Sequence, residues 1–272
     1  MRVRLFGCVT HVAPMIAMAV LFVAAASSVL AAGSRPNVFQ TTLEERDQKT
    51  PEVTTEQLQT ILAKKGGIVL DARPKDQYAI AHIPGSISLD EKGIIRFIQA
   101  YPDRETNIIL YSNGPSCDWA KRRAGELASR GYTKVSRYQL GLAVWRALGN
   151  TAQTSLQGFR HVFANENNAV IVDARNRDDF MAGTVPGAES ILPGEGSKAA
   201  KDRRLGFYDY NARIIVFSDS GEKARAVAEE IARNAYSNSS FVEGTYEDLK
   251  RTKFFVPRKP SPSYLDSLLR RP

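Results

Sequence analysis

The chain repeats itself, and no other feature constrains its fold as tightly. Asp71, Ala72, Arg73, Asp76, Pro84, Gly85 and Ser88 return in the same order and spacing about 100 residues later as Asp173, Ala174, Arg175, Asp178, Pro186, Gly187 and Ser190. Tyr78 then pairs with Phe180 and Ile83 with Val185, and the run Ile108-Ile-Leu-Tyr-Ser112 matches Ile214-Ile-Val-Phe-Ser218. Solenoid repeats have periods of about 20 to 50 residues, so a period this long is a duplicated domain. At roughly 150 residues per domain, the length of 272 residues also predicts two.

Each copy reads as α/β. Thr54 to Gln57 has capping-box spacing and predicts a helix that runs to Lys65 and stops at Gly66-Gly67. Ile68 to Leu70 is a short apolar strand, Glu91 to Tyr101 a helix, and Asn107 to Tyr111 a second strand. The loop Ser112-Asn-Gly-Pro-Ser-Cys117 leads into a helix from Asp118 to Arg130, which ends at Gly131. Val135 to Tyr138 is a third strand, followed by Gly141 and a short helix around Trp145. Short apolar strands alternating with helices imply a parallel sheet covered on both faces. The expected fold is therefore two α/β domains, each a small parallel sheet flanked by helices. Their bounds read as 50–150 and 155–255, joined by a linker at 151–154, with a basic tail over 256–272.

The N-terminus points to export. Arg2 and Arg4 precede the apolar run Ile16 to Ala26, and Val29-Leu-Ala31 fits a small-residue cleavage site. The expectation is a signal peptide over 1–31, a linker over 32–49 and a periplasmic or secreted protein. The alternative is an uncleaved anchor, because Ile16 to Ala32 approaches the shortest membrane-crossing length. Contact with a membrane is expected only through that segment. Cleavage removes Cys8 and leaves Cys117 as the single thiol, which excludes a disulfide scaffold and a four-cysteine zinc site. His11, His82 and His161 are scattered, so neither metal nor cofactor is expected. The net charge of +8 is dispersed over clusters such as Lys121-Arg-Arg123, without the interleaved aromatics of a nucleic-acid binder.

Asp71-Ala-Arg73 with Tyr78 and His82-Ile-Pro-Gly85 resembles the N-terminal signature of rhodanese domains. Gly131-Tyr132, Val135 and Gly141 to Trp145 resemble the rest of that fold in order. The resemblance covers both copies, although Gly244-Thr-Tyr-Glu-Asp248 stands where the closing Trp belongs in the second. Rhodaneses carry sulfur as a cysteine persulfide on the first residue of the loop after the central strand, cradled by loop N–H groups at a helix N-terminus. That residue here is Ser112 in one copy and Ser218 in the other, and a serine hydroxyl cannot carry a persulfide.

The first loop resembles a rhodanese subgroup reading Tyr-Cys-Asn-Gly-Pro-x-Cys, with Ser112 in place of the first cysteine and Cys117 as the second. The resemblance implies a sulfurtransferase-like fold with both standard nucleophiles absent. Two readings follow. One is a non-catalytic binding or scaffolding module in sulfur or redox metabolism. It would use the anion cradles Ser112, Asn113, Gly114 and Ser116, and Ser218, Asp219, Ser220, Gly221 and Lys223. Its partner would be a small sulfur-containing anion or an envelope protein. The other is a sulfurtransferase or persulfide carrier with Cys117 as its catalytic thiol, set where the helix dipole favours negative charge. Asp71 with Arg73, and Asp173 with Arg175, are read as ion pairs that brace the loops. Phe207, Tyr208 and Tyr210 are read as packing residues, and Tyr264 to Leu269 as a segment that packs or docks.

Overall fold

In the computed structural model the described residues are 37–44, 48–89, 93–205, 211–262, 266, 267 and 270. The leader, the three aromatics at 207–210 and most of the tail segment lie outside them. Among the described residues, no helix is long and apolar enough to cross a membrane.

The first copy starts as its caps dictate. Thr54 Oγ1 accepts from Gln57 N at 3.1 Å, and Gln57 Oε1 accepts from Thr54 N at 2.8 Å, opening α1 (Thr55–Lys64). Then follow β1 (Ile68–Asp71), α2 (Lys75–Ile80), β2 (Ile87–Ser88), α3 (Gly93–Ala100), β3 (Ile108–Tyr111), α4 (Trp119–Ser129), β4 (Val135–Tyr138) and α5 (Gly141–Ala147). The second copy comprises β5 (Ala152–Thr154), α6 (Leu156–Asn165), β6 (Val170–Asp173), α7 (Arg177–Ala182), β7 (Glu189–Ser190), α8 (Gly196–Lys201), β8 (Ile214–Phe217), α9 (Gly221–Arg233), β9 (Ser239–Val242) and α10 (Tyr246–Arg251).

The strands form two wholly parallel sheets, ordered β2-β1-β3-β4 and β5-β9-β8-β6-β7. Burial on both faces explains the unbroken apolar runs. On one side of the first sheet Val69, Ile109 and Tyr111 pack with Leu58 and Trp145; on the other, Leu70, Ile108 and Leu110 pack with Phe97 and Leu127. The second sheet repeats this, with Ile171, Ile215 and Phe217 against Phe159 and Leu249, and Val172, Ile214 and Val216 against Val227 and Ile231.

The segment read as a connector is built into the structure as β5. On one edge β5 pairs in parallel with β9. On the other, Gln153 exchanges backbone hydrogen bonds with His82 of the first copy, at 2.9 and 2.8 Å. Thr154 Oγ1 donates to Ile80 O at 2.8 Å, and Ser155 N to Ala79 O at 2.9 Å. The approach is so close that a β-carbon on Gly158 would lie 1.9 Å from Ala79 O. Only glycine fits there. Both copies belong to one compact unit.

In the first copy the place of β5 beside β4 is taken by Pro51 to Val53, which bond to the backbone of Arg137 at 2.8 Å on each side. The segment leaving the second copy behaves like β5 where it meets the repeat: Arg258 exchanges backbone bonds with Thr184, the counterpart of His82, both at 3.0 Å.

Candidate functional site

Ligands of open α/β sheets bind beyond the carboxyl ends of the strands. There β1 delivers Asp71 and β3 delivers Tyr111, both fully buried. Asp71 Oδ1 accepts from Arg73 Nε at 2.9 Å and from Arg73 N at 3.0 Å, and Oδ2 from Arg73 Nη2 at 2.5 Å. Tyr111 OH donates to Oδ2 at 2.6 Å and accepts from Ile83 N at 3.0 Å. Burial keeps that phenol protonated by pushing its pKa well up, with the Asp71 carboxylate adding to the effect. Arg73 Nη2 also ties down Ala81 O at 2.6 Å, and its Nη1 reaches Asn113 Oδ1 at 3.5 Å. The ion pair therefore joins the helix-to-strand turn to the first loop.

The same pair recurs in the second copy with another hydroxyl. Arg175 Nε and Nη2 bind Asp173 at 3.0 and 2.7 Å, and Nη2 holds Gly183 O at 2.8 Å. Phe217 stands where Tyr111 does, and Thr184 Oγ1 supplies the missing donor to Asp173 Oδ2 at 2.6 Å. Arg175 lies over the Tyr246 ring, 3.6 Å from its centroid. Tyr246 opens α10, whose capping box joins Thr245 and Asp248, in the stretch that lacks the closing Trp.

In the first loop the carbonyls face the protein. Ser112 O accepts from Leu142 N at 3.0 Å, Asn113 O from Ala143 N at 2.9 Å, and Gly114 O from Cys117 N at 3.0 Å. Gln139 Nε2 holds Pro115 O and Cys117 O at 3.0 and 2.9 Å. The N–H groups of Asn113, Gly114 and Ser116 meet no acceptor among the described residues. Loop and α5 meet backbone to backbone: at Gly141, with φ +68°, a β-carbon would sit 2.6 Å from Gly114 N. Ser112 is buried and its hydroxyl reaches across to Cys117 O at 3.5 Å. Cys117 is half-buried on the rim with a free thiol. Asp118 leaves the α4 terminus without a side-chain cap and pairs with Arg122 at 3.3 Å on the exposed face.

The second loop is shorter and already occupied. Ser218 Oγ donates to Asp219 Oδ1 at 3.1 Å, and Lys223 Nζ binds Asp219 Oδ2 at 2.8 Å. That ammonium, through its hydrogen bond, holds the Asp219 carboxyl below the usual carboxylate range. Ser220 caps α9, accepting from Lys223 N at 3.3 Å, and Gly221 is the helix's first residue. The structure thus gathers all five residues, but around a carboxylate of the chain itself.

Sequence reasoning missed a strut under Cys117. Arg137, fully buried in β4, donates to Gln139 Oε1 at 2.6 Å and to Thr50 Oγ1 at 2.9 Å, and faces Glu52 at 3.6 Å. An arginine inside a buried strand, Val-Ser-Arg-Tyr, was the available signal. His82 is likewise structural in its contacts: its ring stacks on Tyr78 at 3.9 Å and its Nδ1 lies 2.8 Å from Tyr78 O. Among the described residues, no cluster of three or more His, Cys, Asp or Glu is placed to hold a metal.

Comparison with known proteins agrees with this architecture. The Rhodanese-like domain family matches residues 54–148 and 161–252. The chain is 32% identical over 95 residues to the thiosulfate sulfurtransferase GlpE of Pseudomonas entomophila, covering 34% of this chain and 84% of that protein. It is 33% identical over 86 residues to GlpE of Pseudomonas fluorescens, covering 32% and 76%. Among solved structures, the thiosulfate sulfurtransferase of Pseudomonas aeruginosa is 19% identical with a TM-score of 0.33; the match covers 79% of this chain and 46% of that one.

Proposed function

The chain belongs to the rhodanese-like family through both of its halves, and from that premise we propose that it is an exported, non-catalytic rhodanese pair. It binds a small sulfur-containing anion or an envelope partner in sulfur or redox metabolism. One observation carries the reading. The residue that opens the loop after the central strand is a serine in both copies, and each hydroxyl is turned onto its own loop: Ser112 onto Cys117 O, Ser218 onto Asp219. The relatives named thiosulfate sulfurtransferases act on thiosulfate; this chain keeps the first loop's open amides for holding such an anion and lacks the thiol that would take its sulfur.

The test is a thiosulfate-to-cyanide transfer assay on the mature protein and on Cys117→Ser, with intact mass recorded. The expected result is no turnover and no added sulfur. Turnover that vanishes with Cys117→Ser, together with a protein heavier by one sulfur atom, would overturn the reading and make Cys117 a relocated persulfide carrier. Export is checked by fractionation and the N-terminal sequence of the mature chain, expected to begin after Ala31.

A further inference from the structure

The two copies turn the same corner and cover it differently. Gly85 and Gly187 share a left-handed conformation, φ +83° and +80°, in the turn that leads into β2 or β7. In the first copy α1 closes over that turn: a β-carbon on Gly85 would touch Leu62 Cδ2 at 3.5 Å. At Gly187 a β-carbon would meet nothing within 4 Å. The counterpart of Leu62, at the same place in the ten-residue helix α6, is Phe163. Its ring packs instead with Phe159, Phe254 and Phe255, at centroid separations of 6.3, 5.7 and 6.3 Å. Aromatic pairs at such separations add to the burial they share, and they hold Phe163 off the corner.

What remains is a groove of about 300 Å³ between that turn and the segment leaving the second copy. Both walls are fixed. Ala188 N donates to Val185 O at 3.0 Å across the turn, and the segment is held by the backbone exchange of Arg258 with Thr184, both bonds at 3.0 Å. A preformed site spares its ligand the cost of ordering the protein. The volume stands at the lower end for small-molecule sites, enough for one ring system or a short chain. Pro186, Ala188 and Pro260 give the groove apolar lining, and Arg258 and Lys259 give it positive charge. Both cationic side chains are exposed and meet no carboxylate among the described residues. Glu189 is the one acid in the described lining. Two cations against one carboxylate favour a ligand with a single negative charge.

We propose that this groove binds a small monocarboxylate with an apolar body. The ring or short chain lies against Pro186, Gly187 and Pro260, and the carboxylate is held by Arg258 and Lys259. Inorganic oxyanions are not its ligands, because they bring no apolar surface to the walls. The site belongs to the second copy and is independent of how the first loop is read.

The probe is 2-naphthoate, titrated into the full-length protein by calorimetry, with 2-naphthamide as its neutral counterpart and acetate as the anion without a ring. Naphthoate should bind saturably, and both comparison compounds about tenfold or more weakly. Arg258→Gln combined with Lys259→Gln should weaken naphthoate by about tenfold while melting with the wild type, because Arg258 holds Thr184 through its backbone alone. Lys64→Gln combined with Lys65→Gln removes the same charge from the first copy and should leave the affinity unchanged. A wild type that binds no naphthoate overturns the proposal, as does equal binding of naphthamide. Unchanged affinity in the Arg258 and Lys259 variant, or an equal loss in both double variants, overturns it too. None of these outcomes touches the non-catalytic reading, which falls only to a persulfide on Cys117.

Discussion

The two loops began as copies and now differ in what they offer. The first turns its carbonyls into α5 and Gln139 and leaves three amides open. The second closes on Asp219, held by Lys223 and Ser218, so its positive ground is filled from within. A helix N-terminus attracts an anion in either case. What differs is whether the chain provides that anion. Duplication allowed one half to keep its loop amides open while the other set a carboxylate into its loop.

Beneath the loops the halves share a constraint and differ in its solution. Each buries an aspartate at the end of the matching strand, β1 or β6, and each must satisfy the second carboxylate oxygen. Tyr111 does so in one, reaching from β3; Thr184 does so in the other, from the turn before β7. The demand comes from burial, which makes an unmet acceptor costly, and any hydroxyl within reach answers it. His82, at the position of Thr184, is thereby free to stack on Tyr78.

The sharpest way to break this parallel is to remove the carboxylate charge. Asp71→Asn strands Arg73 in a buried site and should cost about 3–5 kcal/mol in urea unfolding. Asp173→Asn should cost less, because Arg175 keeps the Tyr246 ring over which it lies. Equal losses would show that the aromatic contact contributes nothing.

The hydroxyl exchange comes next. Tyr111→Phe leaves Asp71 Oδ2 and Ile83 N each short of a partner and should cost about 1–3 kcal/mol. Adding His82→Thr to it imports the second copy's solution and should recover part of the loss, whereas His82→Thr alone should gain nothing. Strict additivity in this double-mutant cycle would mean that the two hydroxyls are not interchangeable.

The smallest effect is a pH dependence confined to the first half. Burial depresses the pKa of His82, outweighing the pull of the Tyr78 carbonyl. The unfolded chain then protonates first as the pH falls below about 6.5, so stability declines there and stops declining below the folded-state pKa. His82→Thr should flatten that slope when unfolding is measured on either side of the window. A slope that persists unchanged would assign it to other groups.

Much of this was legible in the residues alone. Internal repetition gave two like halves, Thr54 and Gln57 marked the start of α1, and the paired Asp-x-Arg runs marked the bracing ion pairs. The strand β5 was not legible, because Ala152-Gln-Thr154 has no pattern of its own; neighbours on both edges make it a strand. Arg146 was equally silent: in sequence it is one more dispersed cation, and only packing shows that its Nε and Nη2 are buried without a hydrogen-bond partner among the described residues. The loops divide likewise. Their serines could be read directly, but a carbonyl turned onto α5 or a carboxylate turned inward is decided by contacts distant in the chain.

β5 has a consequence for inheritance. Its middle residue is bonded to one half and its flanks to the other, while Trp145 Nε1 of the first half donates to Thr151 O just before it at 2.9 Å. A duplicated gene can ordinarily shed either copy and return to the ancestral state. This one cannot do so cleanly: loss of the second copy would leave the amide and carbonyl of His82 unanswered, and loss of the first would leave half a strand edge bare. The duplication has become a ratchet, and the two halves are passed on together.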